Sequence, residues 1–131
     1  MTLFPDLVNQ EEWVNFNGTM GLKRTHTPVL GLTRIAQFVC RAFGVTLSQL
    51  QGPQRNQHVA RPRQVVCWLA YGTGDYTASQ IGRFLRRDHS TVLHGVRQVW
   101  NLRNYYPEFK ATTGRLWHLI VEVGEERKGG L

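Results

Sequence analysis

The sequence predicts an all-α fold, a compact bundle of about six helices that contains a helix-turn-helix. Three observations carry that expectation. Apolar residues recur at helical spacing in successive segments, and no segment shows the alternation of a strand or an internal repeat. Gly44, Gly52-Pro53, Gly72, Gly74 and Pro107 fall at the boundaries of those segments. The stretch 81–94 ends one short helix, turns within the unbroken polar run Arg86-Arg87-Asp88-His89-Ser90-Thr91, and opens another helix.

Taken in order, residues 1–28 form an N-terminal arm, partly ordered, with Pro5, Gly18, Gly21 and Pro28 scattered among apolar side chains. Its Leu3, Phe4, Leu7, Trp13 and Phe16 are too many for an inert tail, so they either pack back on the domain or dock on a partner. The domain itself is expected over residues 29–124, and residues 125–131 as a polar, frayed tail. A first helix spans about residues 32–43, where Ile35, Phe38, Val39 and Ala42 keep the i, i+3, i+4, i+7 rule and Gly44 stops it. A short second helix follows, with Thr46 as N-cap and Gly52-Pro53 closing it. Residues 54–58 read as a polar loop. The third helix is expected to start near Arg61-Pro62, since proline is tolerated early in a helix, with Val65, Val66 and Leu69 as its stripe and Gly72 and Gly74 at its end.

Thr77 and Gln80 have the spacing of a capping box and open the fourth helix, whose Ile81, Phe84 and Leu85 face inward. The fifth runs from His89 to about Arg103, with Val92, Val96 and Val99 toward the core. Asp88 stands at its N-cap, where a carboxylate can accept the first free backbone N–H groups. His89, Ser90 and Thr91 then point off the helix tip. Pro107 restarts the chain into a sixth helix carrying Phe109, Leu116, Leu119, Ile120 and Val123.

Charge narrows the function. The 131 residues carry 16 Lys+Arg against 9 Asp+Glu, a formal net charge of +7. Between residues 55 and 103 every Lys or Arg position is an arginine: Arg55, Arg61, Arg63, Arg83, Arg86, Arg87, Arg97 and Arg103. Only Asp75 and Asp88 oppose them there. Guanidinium forks suit phosphates and guanine edges, although a solvated basic face has the same composition. Arg97 and Arg103, further from the tip, fit that solvated reading. Trp68, Trp100 and Trp117 sit in helical patterns and read as core; Trp13 reads as an interface residue.

Cys40 and Cys67 lie in apolar helical patterns without metal or redox spacing, which predicts buried thiols. No signal peptide or membrane span is recognisable, so a cytoplasmic, nucleoid-associated protein is expected. His89 lacks a second histidine at i+4, and Ser90 lacks a general base backed by an acid, so neither a metal site nor a hydrolase is expected. No carboxylate cluster of a metal-dependent nuclease is present. The expectation is therefore no enzyme and no cofactor.

The segments His58-Val59-Ala60-Arg61-Pro62-Arg63-Gln64, Ile81-Gly82 and Arg87-Asp88-His89-Ser90-Thr91-Val92-Leu93-His94 closely resemble the C-terminal DNA-binding domain (domain IV) of the bacterial replication initiator DnaA. The resemblance covers roughly residues 32–123 and implies a Trp-repressor-like helix-turn-helix bundle that binds double-stranded DNA at DnaA-box-like sites. No Gly-rich loop ending in Gly-Lys-Ser/Thr accompanies it, so a stand-alone DnaA-domain-like protein without bound nucleotide is expected.

Carried over by position, the resemblance implies Arg55 in the minor groove, and Arg61, Arg63 and Gln64 at phosphates. It implies Thr77, Ala78 and Ser79 at the start of the helix across the backbone, where free N–H groups can hold a phosphate. Arg86, Arg87, Asp88, His89, Ser90 and Thr91 form the turn and base-reading tip, with His94 one turn on. The family commonly has two glycines before Arg-Asp-His. Here the turn is one residue shorter and Arg86 takes a glycine position, which implies a slightly re-aimed recognition helix.

Several of these residues fit a purely structural role as well. Arg87 and Asp88 could form an internal ion pair and cap, Thr91 could cap its helix, and His94 could be partly packed. The implied role is control of replication initiation or transcription. The alternative is a protein-interaction adaptor that docks on replication-initiation proteins through residues 1–28.

Overall fold

The structure is a computed structural model that describes the backbone of residues 30–129 and side chains as far as residue 124. The arm expected over residues 1–28, and residues 130 and 131 of the tail, lie outside the described residues. Among the described residues there are six helices and no strand: α1 (Leu32–Phe43), α2 (Leu47–Gln51), α3 (Gln57–Thr73), α4 (Ala78–Leu85), α5 (His89–Tyr105) and α6 (Pro107–Gly129). None of these helices is long and apolar enough to cross a membrane.

Local chemistry sets most boundaries. Thr46 and Thr77 each head a reciprocal capping box, with Gln49 and Gln80 returning the bond to the cap's own N–H. Gly44, in the left-handed region at φ 71°, ends α1. Helix α5 runs to Tyr105 before Pro107 starts α6, and α6 continues to Gly129, through most of the segment expected as a frayed tail.

Helix α3 departs from expectation. It begins at Gln57, not near Arg61, because Asn56 caps it: its Oδ1 accepts the Val59 N–H at 3.2 Å. Residues 57 and 58, expected in a loop, are therefore helical, and Pro62 lies inside the helix instead of at its first turn. A proline there removes the bond that residue 62 would give the His58 carbonyl. Packing compensates, since Pro62 is among ten buried residues of this one helix. The expected three-residue stripe becomes a helix buried nearly all round, because α1, α2, α4 and α5 all pack against it.

The central pair is α3 against α5. Gly95 makes their approach close: a Cβ there would stand 3.3 Å from the Gln64 Cγ. Val92, Val96 and Val99 turn inward at 0, 1 and 0% exposure, as their spacing predicts, each contributing roughly 1.5–3 kcal/mol by burial. Trp68 and Trp100 are core residues, and Trp117 packs partly buried against them.

Arg103 corrects the sequence-based expectation. It is buried, not on a solvated face. Its guanidinium carbon lies 4.7 Å from the Trp68 ring centroid, and its Nε donates to Thr113 Oγ1 at 2.9 Å. Burial lowers its pKa, and the ring face and hydroxyl take the place of water around the cation. Distance along the chain from the helix tip does not decide this. The rotation of α5 about its axis carries Arg103 to the Trp68 side of the bundle.

Candidate nucleic-acid interface

Helices α4 and α5 and the three residues between them form the helix-turn-helix. The turn is built by a paired C-cap. Arg86 donates its N–H to the Arg83 carbonyl at 3.3 Å, and Arg87 donates to the Gly82 carbonyl at 2.7 Å. This is the Schellman arrangement, with Arg86 in the left-handed region at φ 60°. The glycine position inferred for Arg86 thus has the backbone conformation that favours glycine. Gly82 is needed for a second reason: a Cβ there would collide with the Arg87 carbonyl oxygen.

The tip that follows is open. Asp88, His89, Ser90, Thr91 and His94 are all exposed, while the opposite face of α5 is buried. Asp88 is the N-cap by backbone geometry, at φ −69° and ψ 151°, but its side chain makes no capping bond. Its Oδ2 instead accepts from Ser90 Oγ at 3.1 Å. The expected carboxylate cap is therefore replaced by a backbone cap, in which the Asp88 carbonyl accepts from Thr91 and Val92 at 3.0 and 3.1 Å. The N–H groups of His89 and Ser90 have no intrahelical acceptor, as at any helix start.

Arg87 does not pair with Asp88. Its guanidinium reaches back across the turn, donating from Nη1 to the Leu85 and Arg86 carbonyls at 3.2 Å each and from Nη2 to Gly52 at 2.7 Å. Arg63 approaches the same place from α3. It is 7% exposed, and its Nε donates to the Leu50 carbonyl at 2.8 Å. Its Nη2 donates to Gln49 and Gly52 at 3.2 and 3.4 Å. Arg63 therefore closes the C-terminal end of α2, whose last carbonyls have no helical donors. Its expected place at a phosphate gave no sign of that task. Burial lowers the Arg63 pKa, and the Arg87 charge lowers it further.

Beside these two arginines lies a cavity of about 320 Å³ between α3 and the root of α5. It gathers six of the sequence-derived candidates: Arg55, Arg63, Gln64, Arg87, Thr91 and His94. Arg55 is exposed immediately before the α3 cap. Arg61 does not line the cavity, but its Nη1 donates to Gln64 Oε1 at 2.9 Å and orients that amide. Cys67 forms part of the wall. Burial pushes its thiol up to about 12, against the pull of Arg63, so the wall is neutral there.

Thr77, Ala78 and Ser79 stand at the start of α4 and do not line this cavity. Two N–H groups of that end are already engaged: Thr77 donates to Gln80 Oε1 at 2.8 Å, and Gln80 donates to Thr77 Oγ1 at 3.1 Å. The N–H groups of Ala78 and Ser79 are the ones a helix start leaves for an outside acceptor. Sequence reasoning missed Gly52, whose carbonyl joins α2 to the turn. Every residue has a carbonyl, so nothing in the residue type could have singled it out.

Comparison with known proteins agrees with this geometry. The family described as bacterial dnaA protein helix-turn-helix matches residues 32–99. The chromosomal replication initiator protein DnaA of Deinococcus radiodurans is 32% identical over 99 residues, 76% of this chain and 21% of that protein. The DnaA of Bacteroides thetaiotaomicron is 31% identical over 101 residues, 76% of this chain and 22% of that protein. That of Cereibacter sphaeroides is 39% identical over 72 residues, 54% of this chain and 16% of that protein. The chain spans about a fifth of the length of these relatives. With the match running from the start of α1 through most of α5, the chain belongs to the bacterial DnaA helix-turn-helix family.

Proposed function

We propose that the chain binds double-stranded DNA sequence-specifically, at sites resembling the DnaA box, and acts in the control of replication initiation or transcription. The observation that carries this reading is the exposed α5 tip with a guanidinium-lined cavity at its root. Such a tip meets base edges when its helix enters the major groove, and the preceding helix crosses the backbone.

In this reading Asp88, His89, Ser90 and Thr91 read bases, and Arg55 enters the adjacent minor groove. Arg61, Gln64, His94 and the Ala78 and Ser79 N–H groups hold phosphates. Thr77 shapes that helix start. Arg63 and Arg87 contribute positive potential while their hydrogen bonds hold the turn. The whole assignment is one of binding and involves no reaction step.

Selection of bound duplexes from a random pool tests it. A recovered motif, bound with a log–log salt slope of about −4 to −6, is expected from ~4–7 phosphate contacts. A pool that stays random through selection, with no retention at low salt, would overturn the reading.

A further inference from the structure

Arg86 holds a conformation that residues with side chains avoid. At φ 60° and ψ 45° it is the one non-glycine residue with positive φ among the described residues. Two other helices, α1 and α3, also end in the left-handed region, and both use glycine: Gly44 at φ 71° and Gly74 at φ 79°. Glycine meets this need without Cβ conflict. The chain thus uses the low-strain solution twice and departs from it at the turn of the helix-turn-helix.

Among the described residues nothing that requires the arginine side chain offsets the strain. Arg86 is exposed. Its bonds to the rest of the chain are backbone bonds: its N–H to Arg83, and its carbonyl accepting from Arg87 Nη1. A glycine could make both. The guanidinium has no hydrogen-bond or ion-pair partner among the described residues. It projects from the turn just ahead of Asp88, where the chain passes from the backbone-crossing helix to the groove-reading one.

We propose that Arg86 is a phosphate-gripping residue that supplies sequence-independent affinity at the expense of fold stability. The inference rests on the DNA-binding reading above. Arginine suits the task because its fork can meet two phosphate oxygens. The loop before α3 supplies only Arg55 beside the neutral Gln54 and Asn56, so an added cation at the turn makes up for a weakly basic neighbour.

The test uses the full chain with Arg86→Gly and Arg86→Lys. Each is melted, then titrated with a selected duplex and a scrambled one across a salt series. Arg86→Gly is expected to melt about 4 °C or more above the parent, through relief of the backbone strain. It should bind both duplexes about three- to tenfold more weakly, by equal factors, with a salt slope shallower by about 0.9. Arg86→Lys should keep the slope and the lower melting temperature.

An Arg86→Gly chain with parental affinity and slope overturns the proposal while leaving the DNA reading intact. Loss confined to the selected duplex overturns it too, by making Arg86 a base reader. A parent chain that binds neither duplex removes the DNA reading itself, and the proposal with it.

Discussion

Arg63 and Arg87 converge on one backbone oxygen, the Gly52 carbonyl, at 3.4 and 2.7 Å. Two like charges share an acceptor because each solves a different structural problem. Arg63 ends α2, and Arg87 fixes the turn before the recognition helix. The carbonyl therefore couples the α2–α3 loop, which carries Arg55, to the tip of α5. Arg63→Met is expected to destabilise the fold by about 2–3 kcal/mol, because it leaves the buried Leu50 carbonyl without the Arg63 donor. Arg87→Ala, at a half-exposed site, should cost about 1–2 kcal/mol and also loosen the tip. Chemical denaturation beside duplex titration checks this. An Arg87→Ala chain that is less stable but binds DNA as before would dissociate the turn from the interface.

The tip residues should behave in the opposite way. His89, Ser90 and Thr91 are exposed, so alanine at each should change stability by no more than about 0.5 kcal/mol. Affinity for the selected duplex should fall by about 1–3 kcal/mol for each base-reading side chain removed, while binding to a scrambled duplex is nearly unchanged. Equal weakening on both duplexes would move these side chains from base edges to the backbone.

What could be read in advance divides by range. The caps at Thr46 and Thr77 were legible because donor and acceptor lie three residues apart. The tip was legible because a polar run interrupts and then rejoins helical apolar spacing. Asn56 was missed because polar residues and Pro62 follow it, and only the surrounding helices make a proline acceptable inside α3. The burial of Arg63 and Arg103 was missed for a related reason. Their partners are the α2 carbonyls and the Trp68 face, which are brought near by packing and not by chain proximity. An arginine's sequence neighbourhood reports its charge, while its burial is a property of the assembled bundle.

Gly82 offers a sharp steric test. Its missing Cβ leaves room for the Arg87 carbonyl, and the backbone there has no flexible end that could move aside. Gly82→Ala should destabilise by about 2–4 kcal/mol and weaken duplex binding together with the fold. Gly95→Ala meets a side-chain atom of Gln64 at 3.3 Å, so its cost should be smaller, about 1 kcal/mol. A Gly82→Ala chain as stable as the parent would show that the turn can shift without consequence.

Cys67 connects stability to alkaline pH. Burial raises its thiol from 9.0 to about 12. The folded state therefore keeps the proton through a range in which the unfolded chain releases it. With more protons bound to the folded form, stability falls as pH rises. The contribution is fully present below about pH 9 and is lost progressively toward pH 12, by up to ~1.4 kcal/mol per unit. Cys67→Ala should start less stable, because it leaves a small cavity, yet decline less steeply over that window than the parent. Denaturant melts at several alkaline pH values read the difference in slope between the two chains, which cancels the tyrosines and lysines common to both. Parallel slopes would mean that the thiol ionises in the folded protein as readily as in the unfolded one. In the same window an alkylating reagent should modify Cys67 only as fast as the fold opens, since the thiol is 4% exposed.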